Sequence, residues 1–322
     1  MALVVAFSFG FTDEPQHAPL TLDYIHYHVN DAQAARKFFI GHFQAHPLAK
    51  PDKNPLPFVE YLEIRPGQAS VAISPRGPFP GLNMQDPARW RRTPVRMSAS
   101  TPPAYGVHWL ALRTENLKLA LQSLDKQGVK IAAAGAQVPG EPHAKAAVVW
   151  GPEFTRILII QRGHEKRQET LYGIDHLLIL VENLAENARF FEEVYDGEVL
   201  KKDDYFCKMR VGGHVLVLAV PMAAGIPNDI VQTPDSTQFR PGIEDLGFLY
   251  ANPEPAYQAA AVKGYAFSLR PSRLIYRSKP TPYVKAVTRA PAGVYCEMYA
   301  EDGRTALRNQ YQNQNTVMGN KK

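Results

Sequence analysis

Two gap-free internal matches constrain this chain more than any other feature. An offset of 152 residues lays Asp23 on Asp175, Val29 on Val181 and Phe38-Phe39 on Phe190-Phe191. An offset of 136 lays Gly106 on Gly242, Leu110 on Leu246, Asn116 on Asn252 and Gly128 on Gly264. Repeats of this size mean that the chain is assembled from copies of one supersecondary unit, each needing a neighbour to bury its apolar face.

Each copy reads as a strand, a capped helix and further strands. The first strand spans 20–29 and ends at Asp31, an N-cap; Ala34, Ala35, Phe38 and Phe39 then repeat at helical spacing. Strands follow at 58–64 and 69–73. The second copy opens at 105–112, has a helix marked by Leu117, Leu121 and Leu124, and stops at Gly128. Its strands are 129–131, 146–150 and 155–161. The third copy opens at 173–181, and Asn183 with Glu186 forms a capping box. Ala188, Phe191, Val194 and Tyr195 mark its helix, and strands follow at 198–200, 206–211 and 214–220. The fourth opens at 242–250. Asn252 caps a helix with Pro253 at its first position, Gly264 ends it, and strands run at 265–269, 284–288 and 294–299.

The expected fold is α+β: four βαβββ modules in two tandem pairs, forming two barrel-like domains. The N-terminal domain, structural and without a metal site, is expected at 20–163 and the metal-binding C-terminal domain at 171–303. An N-terminal extension (1–19), a charged linker (163–170) and a polar tail (304–322) complete the chain. A loop rich in Pro, Gly and Arg, 75–104, is longer than a compact domain normally carries without a purpose, and another loop, 221–241, leads to the fourth unit.

Composition narrows the function. Net charge is +5 over 322 residues, which suits a small anionic substrate. No basic stripe interleaved with aromatics marks a nucleic-acid surface. The two cysteines, Cys207 and Cys296, form neither a disulfide framework nor a Cys-x-x-Cys site. No stretch is long and apolar enough to span a membrane. The expectation is a soluble, cytoplasmic protein, and homo-oligomerisation is compatible with it.

The repeat then compares residues at related positions. His176 opens the third unit. Tyr24 stands there in the first, Trp109 in the second and Asp245 in the fourth. Glu297, on the last strand of the fourth unit, corresponds to one of Ile157, Leu158 and Ile159 in the second. Asp and Glu number 31 and His 10 among the 322 residues, so three metal-ligating types at three related positions are rare by accident. The bland readings are a strand-end histidine on a carbonyl, a salt-bridged carboxylate for Glu297, and a relic for Asp245. The sharper reading is a metal site of His176, Asp245 and Glu297, with hard, anionic character suited to Fe(II), Mn(II) or Mg(II). His26 and His28 share a strand face with Tyr24 by alternation. The N-terminal half offers no carboxylate at the matching places, so no site is expected there. His214 reads as structural.

The chain also resembles a known family. Leu22-Asp23-Tyr24-Ile25-His26, Val149-Trp150-Gly151, Ile174-Asp175-His176, Gly242-Ile243, Gly264-Tyr265-Ala266-Phe267 and Glu297 before Glu301-Asp302 are similar to segments of the vicinal-oxygen-chelate superfamily. Within it the similarity is to 4-hydroxyphenylpyruvate dioxygenases. That resemblance implies Fe(II) held by His176, Asp245 and Glu297, with Asp245 standing where the family has histidine. It implies a non-haem dioxygenase that uses O₂ on an α-keto acid or related oxygen-chelating substrate. A metal-dependent lyase, isomerase or epimerase working through an enediolate, or a non-catalytic paralogue, are the alternatives.

Overall fold

The computed structural model describes residues 17–48, 59–75, 92–163, 172–234 and 238–301. Most of the N-terminal extension, the charged linker and the C-terminal tail lie outside the described residues.

The first unit comprises β1 (Thr21–Val29), α1 (Ala32–Phe43), β2 (His46–Pro47), β3 (Glu60–Glu63) and β4 (Ser70–Pro75). A short strand, β5 (Thr93–Pro94), leads to the second: β6 (Gly106–Thr114), α2 (Leu117–Lys126), β7 (Ile131–Ala134), β8 (Ala146–Trp150) and β9 (Arg156–Gln161). The third is β10 (Gly173–Leu180), α3 (Leu184–Tyr195), β11 (Glu198–Lys202), β12 (Phe206–Val211) and β13 (His214–Ala219). After β14 (Gln238–Phe239) the fourth runs β15 (Gly242–Leu249), α4 (Pro253–Val262), β16 (Phe267–Tyr276), β17 (Lys279–Arg289) and β18 (Tyr295–Glu301). The repeat holds to the residue. An offset of 152 carries α1 onto α3 at both ends, and 136 carries α2 onto α4.

Capping explains that register. Asp31, Asn116, Asn183 and Asn252 each accept a backbone N–H from the first turn of the helix that follows, at 2.9, 3.1, 3.0 and 3.0 Å. Gly128 and Gly264 follow the helix ends of the second and fourth units with φ of 82° and 87°. In α1, Ala35, Phe39 and Phe43 are buried four residues apart, so one stripe faces the sheet.

Which units share a sheet differs from expectation. One eight-stranded sheet has the order β16-β17-β18-β15-β1-β4-β3-β2; the other has β11-β12-β13-β10-β6-β9-β8-β7. The fourth unit is therefore joined to the first, and the third to the second. The antiparallel seams are β1 with β15 and β10 with β6. The expected partition into unit pairs 20–163 and 171–303 does not describe the sheets.

Inner-face chemistry gives the reason. The inner face of the first sheet carries Tyr24, His26, His28, Ser74, Asp245 and Glu297, joined by side-chain hydrogen bonds. The inner face of the second is a buried apolar cluster that includes Trp109, Ala111, Leu158, Leu178, Leu180 and Val217. Pairing units by sequence order would set polar inner faces against apolar ones and strand buried imidazoles without partners, a costly arrangement.

The outward faces of both sheets and the helices form one continuous core, including Ile25, Phe39, Leu110, Leu177, Phe191 and Phe248. Each such side chain contributes on the order of 1.5–3 kcal/mol. Contacts cross between the sheets: Tyr195 of α3 lies 4.4 Å from Phe248 of β15, centroid to centroid, and Phe43 lies 5.0 Å from Tyr172. No helix among the described residues is long and apolar enough to cross a membrane.

Candidate metal centre

The seam between β1 and β15 sets His26 opposite Asp245. A register shift between His26 and Tyr27 marks an irregularity at this point of β1. His26, His28 and Asp245 place ligand atoms within 4.8 Å of one another, the metal-capable cluster found among the described residues. His28 and Asp245 are 2% and 1% exposed, and His26 is half-buried.

His28 Nε2 lies 2.8 Å from Asp245 Oδ2, and His26 Nδ1 lies 3.4 Å from the same oxygen. Ser74 Oγ sits between the other two ring nitrogens, 2.8 Å from His26 Nε2 and 3.2 Å from His28 Nδ1. Neutral imidazoles carry one N–H each and the serine one O–H. Three protons thus serve four contacts, and whichever way they are placed one contact brings two lone pairs together. An added positive charge relieves it. A further proton on His26 is disfavoured: burial, then His28, push it down to about 4, despite the pull of Asp245. A divalent cation between the imidazoles and the carboxylate would supply such charge, and two imidazoles with one carboxylate are a donor set that fits a metal.

Glu297 lies one strand away, on β18, opposite Gly247 in the parallel pairing. Its Oε2 accepts from the Tyr24 hydroxyl, and its Oε1 accepts from Lys285 Nζ at 2.8 Å. Burial raises the Glu297 carboxyl, but the Lys285 ammonium prevails and holds it below the usual carboxylate range. Burial, then the charge of Glu297, push the Tyr24 phenol well above its ordinary value. Gly247 makes this reach available, because a Cβ there would collide with the Tyr24 ring. Gly247→Ala is expected to lower stability by about 2 kcal/mol through overpacking, and urea unfolding measures it.

Comparison with known proteins agrees with this architecture. Residues 21–140 match the family model described as Glyoxalase/Bleomycin resistance protein/Dioxygenase superfamily. The chain has the fold of that superfamily. Glyoxalase I from Zea mays superposes with a TM-score of 0.59 at 15% identity, covering 90% of this chain and 94% of that one. A candidate dioxygenase from Bacillus subtilis subsp. subtilis str. 168 gives 0.58 at 12% identity, covering 88% and 86%. No curated protein matches the chain.

Within this glyoxalase-type fold the three expected ligands separate. Asp245 and Glu297 sit on neighbouring strands of the first sheet, whereas His176 lies on β10 in the second. His176 is 1% exposed, and its Nδ1 lies 2.9 Å from Asp175 Oδ1. Its Nε2 is buried without a hydrogen-bond partner among the described residues. It shares its strand face with the apolar Leu178 and Leu180, and it is not in the cluster around Asp245. The side chains that stand beside Asp245 are those of His26 and His28. Their signal was legible as two histidines on one strand face; the carboxylate that completes them comes from the fourth unit, which sequence order alone sets in another domain.

Asp175 belongs to an ion network. Arg162 donates to it through Nε at 2.8 Å and Nη2 at 2.9 Å, and also to Glu141, which accepts from Lys208 at 3.0 Å. Burial raises the Asp175 carboxyl, but its bonds from Arg162 and His176 outweigh that and hold it well below the usual carboxylate range. A carboxyl depressed in the folded state stabilises above its unfolded value and loses that contribution as pH falls. Asp175→Asn is therefore expected to cost about 2 kcal/mol at pH 7. The deficit shrinks below about pH 4, as urea titrations at the two pH values would show.

Proposed function

We propose that the chain is a divalent-metal-dependent enzyme of the glyoxalase/dioxygenase superfamily, with its metal held by His26, His28 and Asp245. Members of the superfamily are metal-dependent enzymes, glyoxalases and dioxygenases among them. The observation that carries the reading is the cluster of two imidazoles and one carboxylate on the inner face of the first sheet. Two histidines and one carboxylate with open positions form the donor set of non-haem Fe(II) oxygenases. The leading activity is oxidation by O₂ of a small anionic substrate with two neighbouring oxygens, such as an α-keto acid.

When bound, the metal would polarise substrate oxygens as a Lewis acid and serve redox chemistry if it is iron. The protein groups have separate tasks. His26, His28 and Asp245 fix the ion, and Ser74 orients both rings. Lys285 places positive charge on the inner face beside Glu297, where it favours an anionic substrate.

A second reading rests on the Tyr24–Glu297–Lys285 chain. A carboxylate held ionised beside a phenol and an ammonium is equipped to move a proton, as a metal-dependent isomerase or lyase requires. Metal analysis of anaerobically purified protein, followed by an Fe(II)-dependent oxygen-uptake screen with α-keto acids, tests both. Bound metal with oxygen uptake supports the oxygenase. Bound metal with isomerisation or lyase turnover and no uptake supports the second reading. Protein without affinity for Fe(II), Mn(II) or Mg(II) contradicts both.

A further inference from the structure

The long loop at 75–104 and the loop at 221–241 meet each other. β5 and β14 pair in parallel, Thr93 with Gln238 and Phe239 with Pro94. Tyr105 donates its backbone N–H to Gln232 at 3.2 Å, and Gln232 donates to Pro103 at 2.9 Å. Together they flank a cleft of about 150 Å³ between the two sheets. The cleft lies across the sheet from the metal cluster: it is lined by Tyr27 and Glu244, which alternate along β1 and β15 with His26, His28 and Asp245.

Arg92, Arg156, Arg240 and Arg289 all line this cleft, and among the described lining residues the carboxylate is Glu244. Glu244 is engaged by Arg92 through two bonds of 2.9 and 2.8 Å. The other three guanidiniums have no carboxylate partner among the described residues. Arg240 donates to Pro102 O at 3.0 Å and to Gln232, and Arg289 donates to Gly293 O at 3.0 Å. Arg156 is half-buried and stacks 5.2 Å from the Trp150 ring; no hydrogen bond from it to any described residue is present. Burial alone draws its guanidinium down, with no anion opposing. Trp109, opposite Arg156 in the β6–β9 pairing and also lining the cleft, has its indole N–H buried without a partner among the described residues.

Arg156 and Arg240, half-buried and without counter-charge, and the exposed Arg289 at the rim form, beside the unpartnered Trp109 N–H, a donor-rich enclosure. Arginine forks match carboxylate and phosphate oxygens. A cavity of roughly 150 Å³ holds a molecule about the size of benzene.

We propose that this cleft binds a small dianion, a phosphate or a short dicarboxylate, at a site separate from the metal centre and anchored by Arg156. The site stands independently of the proposed activity.

Titration calorimetry of the full-length, metal-loaded protein with inorganic phosphate and with succinate tests it, with succinamide as the neutral counterpart. At least one dianion is expected to bind, with succinamide silent, and the one that binds identifies the source of the oxyanion. Arg156→Gln is expected to weaken that binding at least about tenfold while leaving the circular dichroism spectrum and Fe(II) affinity unchanged. Asp245→Asn is expected to leave it intact. The proposal is overturned if neither dianion binds at up to about 10 mM, a concentration that admits even weak ligands. It is also overturned if Arg156→Gln binds as well as the parent, if succinamide competes equally, or if Asp245→Asn abolishes binding, which would place the anion on the metal.

Discussion

Replacing Asp245 with asparagine is expected to lower affinity for Fe(II) or Mn(II) by at least about 100-fold, the upper range for loss of a group that merely supports a ligand. Asparagine keeps the shape of the side chain and removes its charge. The site depends on that charge: Oδ2 of Asp245 is the charged atom that both His28, at 2.8 Å, and His26, at 3.4 Å, approach. With asparagine the amide can donate to one imidazole, so the lone-pair conflict that favours a cation disappears together with the charge that attracts it. The fold is expected to survive, because buried Asp245 is surrounded by groups that hydrogen-bond equally well to an amide. Competition against a chromophoric chelator measures the affinity, and circular dichroism verifies the fold. An unchanged dissociation constant would remove Asp245 from the ligand set.

The second large effect concerns the chain as two halves. Expressed separately, residues 1–163 and 164–322 are each expected to lack a cooperative unfolding transition, and co-expression is expected to restore one. β1 and β6 lie in the first half, and their partners β15 and β10 lie in the second. Cutting the chain opens both antiparallel seams and separates Phe43 from Tyr172, whose rings meet 5.0 Å apart across the two halves. A half that re-paired β1 with β6 would press His26 and His28 against the apolar inner face of Trp109 and Ala111. Unpaired imidazoles in such a barrel cost several kcal/mol, comparable with the whole stability of a domain. A first half that unfolds cooperatively as a monomer would contradict the cross-half pairing.

Much of this molecule was legible in its sequence. The offsets of 152 and 136 reproduce helix limits to the residue because capping is local: an Asx side chain and the first-turn N–H it accepts are neighbours in the chain. The placing of Asp245 and Glu297 on one inner face was likewise legible, since alternation along a strand is local. The partner of those carboxylates was not. All four opening strands carry similar apolar outer faces, so periodicity could not tell which pairs meet. The decision lay in their inner faces, polar on β1 and β15, apolar on β6 and most of β10. His176 was misleading because it is the polar exception at the end of an apolar inner face, and its partner is its neighbour Asp175. The 75–104 loop stands out by its length, but its meeting with the 221–241 loop over an arginine-lined cleft depends on the same non-local pairing.

The central claim is that the metal belongs to the sheet shared by the first and fourth units. Anomalous diffraction from a crystal of the full chain soaked in Mn(II) tests it most directly. The account predicts one strong peak bounded by His26, His28 and Asp245, with no peak at His176. A peak at His176, or none within reach of His26, would contradict it.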